Sequence, residues 1–103
     1  MSDVMVDELR RLVEAESPSH DLPALEKCAD VIAELSSALL GVEPERVVVD
    51  GHPHLRLRIG SPRIGLIGHF DTVWPIGTID GWPFSVNDDV ATGPGSFDMK
   101  SGI

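Results

Sequence analysis

Hydrophobic positions along the chain change period twice. From Val4 to Glu16 the apolar residues Met5, Leu9, Leu12 and Val13 fall on one helical face, with Asp3 placed as a cap and Asp7 and Glu8 near the positive end of the helix. Ser17-Pro18-Ser19-His20 interrupts this pattern, because Pro18 cannot continue a helix and restricts the residue before it. A second helix is predicted after Asp21. Its stripe of Leu22, Leu25, Cys28, Ala29, Ile32, Leu35 and Leu39 keeps helical spacing up to a stop at Gly41, and Pro23 is tolerated in its first turn.

After Pro44 the period becomes two. Val47-Val48-Val49 is a β-branched run, Asp50-Gly51 signals a hairpin, and His54 to Ile59 alternates polar with apolar. Next comes Arg63-Ile64-Gly65-Leu66-Ile67-Gly68, an almost uninterrupted apolar run that predicts a central strand buried on both faces. The Pro- and Gly-rich stretch from Trp74 to Pro83 reads as a surface loop. A second hairpin follows, with Asn87-Asp88-Asp89 turning between Phe84-Ser85-Val86 and Val90-Ala91-Thr92. The expected fold class is therefore α/β, two N-terminal helices and then a mixed β-sheet. Two helices and a few strands leave a doubly buried strand under-covered, so residues 1–103 are expected to be the N-terminal part of a larger, truncated domain.

Charge narrows the partners. Seventeen acidic residues against eight basic ones give a net charge of -9, which disfavours nucleic acid and anionic membrane surfaces. No apolar run is long enough for a membrane helix, and Met1-Ser2-Asp3 lacks the basic start of a signal peptide. With a single cysteine, Cys28, no internal disulfide forms, and a cytoplasmic setting is expected.

Candidate chemistry begins where the apolar run ends. His69 and Asp71 would emerge at the carboxyl end of the central strand, where open α/β sheets place ligands. An imidazole and a carboxylate suit a borderline cation such as zinc, and Asp71, two positions on, could hold the ring of His69. Asp98, in the glycine-flanked bend Gly93-Pro94-Gly95-Ser96-Phe97-Asp98, could bridge two metal ions. Against this stands a plainer reading in which all three are polar turn residues. His52 and His54 form a His-x-His better explained as hairpin polarity, and His20 reads as a loop residue. Trp74 and Trp82 either line a substrate entrance or pack on the sheet edge. Lys100 is expected to be a surface charge at a helix start. Pro94 and Met99 stand where a phosphate loop needs glycine, and no serine sits in a Gly-x-Ser-x-Gly elbow, so nucleotide binding and serine hydrolysis are unsupported.

Gly68-His69-Phe70-Asp71-Thr72-Val73-Trp74-Pro75 followed by Gly93-Pro94-Gly95-Ser96-Phe97-Asp98-Met99-Lys100-Ser101-Gly102 resembles the paired signature of the M20 family of zinc metallopeptidases. Trp74-Pro75-Ile76-Gly77-Thr78 is most similar to its glutamate carboxypeptidase branch. The resemblance implies a partial zinc-exopeptidase-like catalytic domain in which His69 binds one of two Zn2+ ions, Asp98 bridges both, and Asp71 serves catalysis by orienting His69. It implies a cis peptide at Asp98-Met99. It also implies a peptide or N-acyl amino acid substrate cleaved at a C-terminal residue, plausibly glutamate, and a homodimer in the complete enzyme. The family's adjacent glutamate pair, its remaining metal ligands and its lid domain are absent from residues 1–103, so this stretch alone is expected to bind zinc weakly and to be inactive. A deacylase of the same family and a non-catalytic, self-associating module are the alternatives.

Overall fold

In the computed structural model, residues 3–103 are described. Helix α1 spans Asp3–Glu14 and buries Leu9, Leu12 and Val13, while Met5, expected on the same face, stays 57% exposed. Asp3 lies inside the first turn, so the capping position falls outside the described residues. Helix α2 spans Leu22–Leu40. The Asp21 side chain accepts from the Ala24 N–H at 3.0 Å, and Gly41, at φ 67°, closes the other end with its N–H on Ser37 O. Both ends thus stop where the sequence places an N-terminal acceptor and a left-handed glycine.

Strands β1 (Glu45–Val49) and β2 (His52–Arg56) pair antiparallel around Asp50 and Gly51, both at positive φ as a tight two-residue turn requires. A four-residue helix α3 (Thr78–Gly81) lies inside the stretch expected to be loop. Strands β3 (Ser85–Asn87) and β4 (Val90–Thr92) form the second hairpin, with Asp88 and Asp89 at positive φ. The chain then makes a 3-10 turn over Lys100–Gly102.

Two apolar clusters hold these pieces. Leu9, Val13 and Phe84 join α1 to the second hairpin, with Val6, Ile79 and Ala91 at the margin. Leu12, Cys28 and Ile32 join α1 to α2, with Leu55 of β2 and Phe70 against them. The face of α1 divides between the two, which is why one short helix positions both halves of the chain.

Four expectations are corrected here. The run Ile64-Gly65-Leu66-Ile67 forms no strand, and Ile64, Leu66 and Ile67 are 83%, 96% and 98% exposed. A strand is buried on both faces only between neighbouring strands and covering layers, and among the described residues none reaches this run. The mixed sheet is therefore replaced by two separate antiparallel hairpins, with a single parallel bridge between Pro18 and Thr72. The alternating segment also ends at Arg56 rather than Ile59. Lys100, expected on the surface, is 2% exposed. Its ammonium donates to Leu12 O at 2.7 Å and Ala15 O at 3.0 Å, carbonyls at the C-terminal end of α1 that the helix itself leaves without donors.

Candidate metal centre

The site is built from two loops that the sequence separates by 29 residues. The first, Phe70-Asp71-Thr72, is tied to Ser17-Pro18-Ser19. Thr72 N–H donates to Ser17 O at 2.8 Å, Ser19 N–H donates to Thr72 O at 3.1 Å, and the Ser17 hydroxyl donates to Phe70 O at 2.6 Å. The second loop, Gly93 to Asp98, lies directly over the first. Gly95, at φ 76°, comes so close that a Cβ there would stand 2.6 Å from Thr72 Cγ2, so only glycine allows this approach. Buried Lys100 anchors the same loop to α1, and the His69 N–H points at Met99 Sδ, 3.4 Å away. The Asp98-Met99 peptide is cis, as the resemblance implies.

These constraints bring His69, Asp71 and Asp98 together. His69 Nε2 lies 3.1 Å from Asp98 Oδ1. On the other side of the ring, Nδ1 faces both the Asp71 backbone carbonyl at 3.1 Å and Asp71 Oδ1 at 3.2 Å. Each ring nitrogen thus faces an oxygen acceptor. A neutral imidazole carries one proton, so either tautomer leaves one lone pair directed at an oxygen. The conflict is relieved by a second proton or by a cation at Nε2. Accordingly the His69 pKa is raised above 6.5, chiefly by the Asp71 carbonyl and against the lowering effect of desolvation, with the Asp71 and Asp98 carboxylates adding to the rise.

The donors also fit zinc. Two ligands bound at about 2.0–2.2 Å with a tetrahedral angle between them lie roughly 3.3–3.6 Å apart, so the 3.1 Å between Nε2 and Oδ1 would open by a few tenths of an ångström around an ion. Both side chains are accessible, His69 about half exposed and Asp98 more so. Among the described residues, no group of three or more His, Cys, Asp and Glu side chains is arranged to hold a metal ion. Zinc sites use at least three protein ligands, so His69 and Asp98 by themselves fall short of that number.

The chain matches no family model, no curated protein and no solved structure. The chemistry of the site therefore rests on its own geometry.

His69, Asp71 and Asp98 line an open cleft of about 490 Å³ together with Ser19, Trp74 and Trp82. The two tryptophans stand edge to face, centroids 5.2 Å apart at 82°, and each is 39% exposed. Both rings stand at the cleft wall, packed against each other. His52 and His54 sit on β2 away from this cleft, with His52 Nδ1 on Asp50 O at 3.2 Å. His20 is exposed and does not line it. Sequence reasoning missed Ser19, whose hydroxyl donates to Asp71 Oδ2 at 2.5 Å, and Lys100 as an anchor of the site. Ser19 is polar and next to a proline, which marks a turn but carries no sign of its distant partner.

Proposed function

We propose that this chain is the N-terminal part of a two-zinc metallohydrolase of the M20 type, acting as a carboxypeptidase that removes a C-terminal residue, plausibly glutamate, from peptides or N-acyl amino acids. The observation that carries the reading is the His69 ring held between Asp71 and Asp98, with both nitrogens against oxygens, in an open cleft. His69 and Asp98 would hold the metal, and Asp71 would keep the Nδ1 proton so that the Nε2 lone pair faces the cleft. Bound zinc would polarise the scissile amide carbonyl and lower the pKa of a water molecule. The aromatic wall of Trp74 and Trp82 offers apolar surface to the acyl side of a substrate. A deacylase of the same family would use the same groups on the same bond.

The test uses the reading frame carried past Ile103. A continued frame is expected to encode an adjacent glutamate pair and a later histidine. Its product should release glutamate or another C-terminal amino acid from a substrate panel, lose turnover on chelation and regain it with Zn2+. His69→Ala and Asp98→Ala should each lower kcat by more than about 100-fold, beyond the range seen for groups that merely support ligands. Turnover that survives chelation, or no glutamate pair in the continued frame, overturns the reading.

The uncovered run Ile64-Gly65-Leu66-Ile67 favours a second reading, a non-catalytic module that associates with itself through this segment. Light scattering on the 103-residue protein decides it. A monomer across a wide concentration range removes this alternative.

A further inference from the structure

We infer that Ser19 is a positioning residue for the His69 site, using its hydroxyl to fix the Asp71 carboxylate in the orientation that meets His69 Nδ1. The inference rests on the metal-site reading above and adds to it the residue that sets the geometry. The argument begins with the freedom of the carboxylate. The terminal torsion of an aspartate is broad, so an aspartate in a loop does not by itself hold one oxygen toward a neighbour. Here the two oxygens are divided. Oδ2 accepts from the Ser19 hydroxyl at 2.5 Å, while Oδ1 stands 3.2 Å from His69 Nδ1. The hydroxyl has one proton, and the short contact to a carboxylate takes it in preference to Thr72 O, 3.3 Å away.

Ser19 is itself held firmly. Its N–H donates to Thr72 O, Thr72 N–H donates back to Ser17 O, and Pro18 and Thr72 form the parallel bridge. Ser17, with no exposed surface, fastens the residue before Asp71 through Phe70 O. The Ser17-Pro18-Ser19 turn therefore grips the chain on both sides of Asp71 and presents a hydroxyl to its side chain. An acceptor fixed at Nδ1 favours the proton of the neutral ring on that nitrogen and turns the Nε2 lone pair toward Asp98 and the cleft. The Asp71 backbone carbonyl also faces Nδ1, so loss of the hydroxyl should weaken this preference rather than abolish it.

The test compares Ser19→Thr with Ser19→Val, which have the same shape and differ in the hydroxyl, in the 103-residue protein. Two readouts are taken. Nitrogen NMR of His69, at a pH where its ring is neutral, reports the tautomer, and titration with Zn2+ alone reports affinity. The wild type and Ser19→Thr are expected to show mainly the Nδ1–H form. Ser19→Val should show a mixture of tautomers and bind Zn2+ roughly tenfold more weakly, the lower end of the effect of removing a group that orients a metal ligand. His69→Ala is the control and should lose the Zn2+ affinity. If Thr and Val variants agree in tautomer and affinity while His69→Ala loses binding, the inference about Ser19 is overturned and the metal-site reading stands. If His69→Ala binds Zn2+ as the wild type does, the metal-site reading itself fails.

Discussion

Replacing Lys100 with methionine keeps most of the buried stem and removes only the ammonium, so the change isolates what the charge contributes. The side chain is 2% exposed, and its Nζ supplies donors to Leu12 O at 2.7 Å and Ala15 O at 3.0 Å. Removing the donor from a buried acceptor costs about 1–3 kcal/mol, and Ala15 O is the less enclosed of the two. Against this, methionine avoids the penalty of keeping a cation out of water. The balance expected near neutral pH is a loss of about 2 kcal/mol, which for a domain of this size lowers Tm by roughly 8–16 °C.

The pH dependence has a definite sign. Burial lowers the Lys100 pKa below 10.5, partly offset by the neighbouring Cys28 and Glu16. Between the folded pKa and 10.5 the unfolded chain binds more protons than the folded one, so stability from this group rises with pH in that window. The neutral amine still has protons for both carbonyls. Thermal and urea unfolding of wild type and Lys100→Met, followed by circular dichroism from neutral pH toward 10.5, should therefore show a gap that widens with pH. A surface lysine would give a change within about 0.5 kcal/mol and no such widening. That result would refute the role of Lys100 as the donor at the end of α1.

Three further outcomes are expected. NMR titration of His69 should give a pKa above 6.5, and Asp71→Asn or Asp98→Asn should bring it down. Because the folded value is the higher one, its contribution to stability is complete below 6.5 and lost as pH rises through the folded pKa, and a titration at or below 6.5 contradicts the geometry. Gly95→Ala should destabilise by about 1–3 kcal/mol, because the residue sits at φ 76° and the added Cβ meets Thr72, and an unchanged denaturation midpoint would count against the contact between the two loops. Leu66→Ser should change stability by less than about 0.5 kcal/mol, whereas Leu25→Ala in the core should cost about 2–5 kcal/mol; equal losses would show that Leu66 is covered.

Features set by neighbours in the chain were legible in the sequence. The start of α2 after Asp21, the middle of its stripe from Leu25 to Ile32, the Gly41 stop and both hairpin turns follow from residues within a few positions of one another, and the structure has them where expected, whereas Leu22 and Leu39 at the ends of that stripe stand exposed. His69 and Asp71 were also legible as candidates, because histidine and aspartate at the end of an apolar run break the local pattern, and Asp98 was legible from its glycine-flanked bend. Less was legible where a residue's role depends on distant chain. Ile64, Leu66 and Ile67 have the composition of a buried strand, but burial needs partners that composition does not specify, and in the fold they stand exposed. The α3 turn was hidden among proline and glycine because its start is held by Glu16, whose carboxylate accepts from the Gly77 and Ile79 N–H groups at 3.1 and 3.3 Å.

The sequence by itself determined the local elements and the chemical types at the site, since torsional preference, capping and period act over a few residues. Only the tertiary structure decided which of those groups meet. It divided the face of α1 between two apolar clusters and placed Lys100 against carbonyls 85 and 88 residues away. It also brought Ser19 to Asp71 across 52 residues and closed His69 onto Asp98 across 29. The physical reason is that a hydrogen bond or an ion contact is specified by position within a few tenths of an ångström, and that position is fixed by the packing of the whole chain.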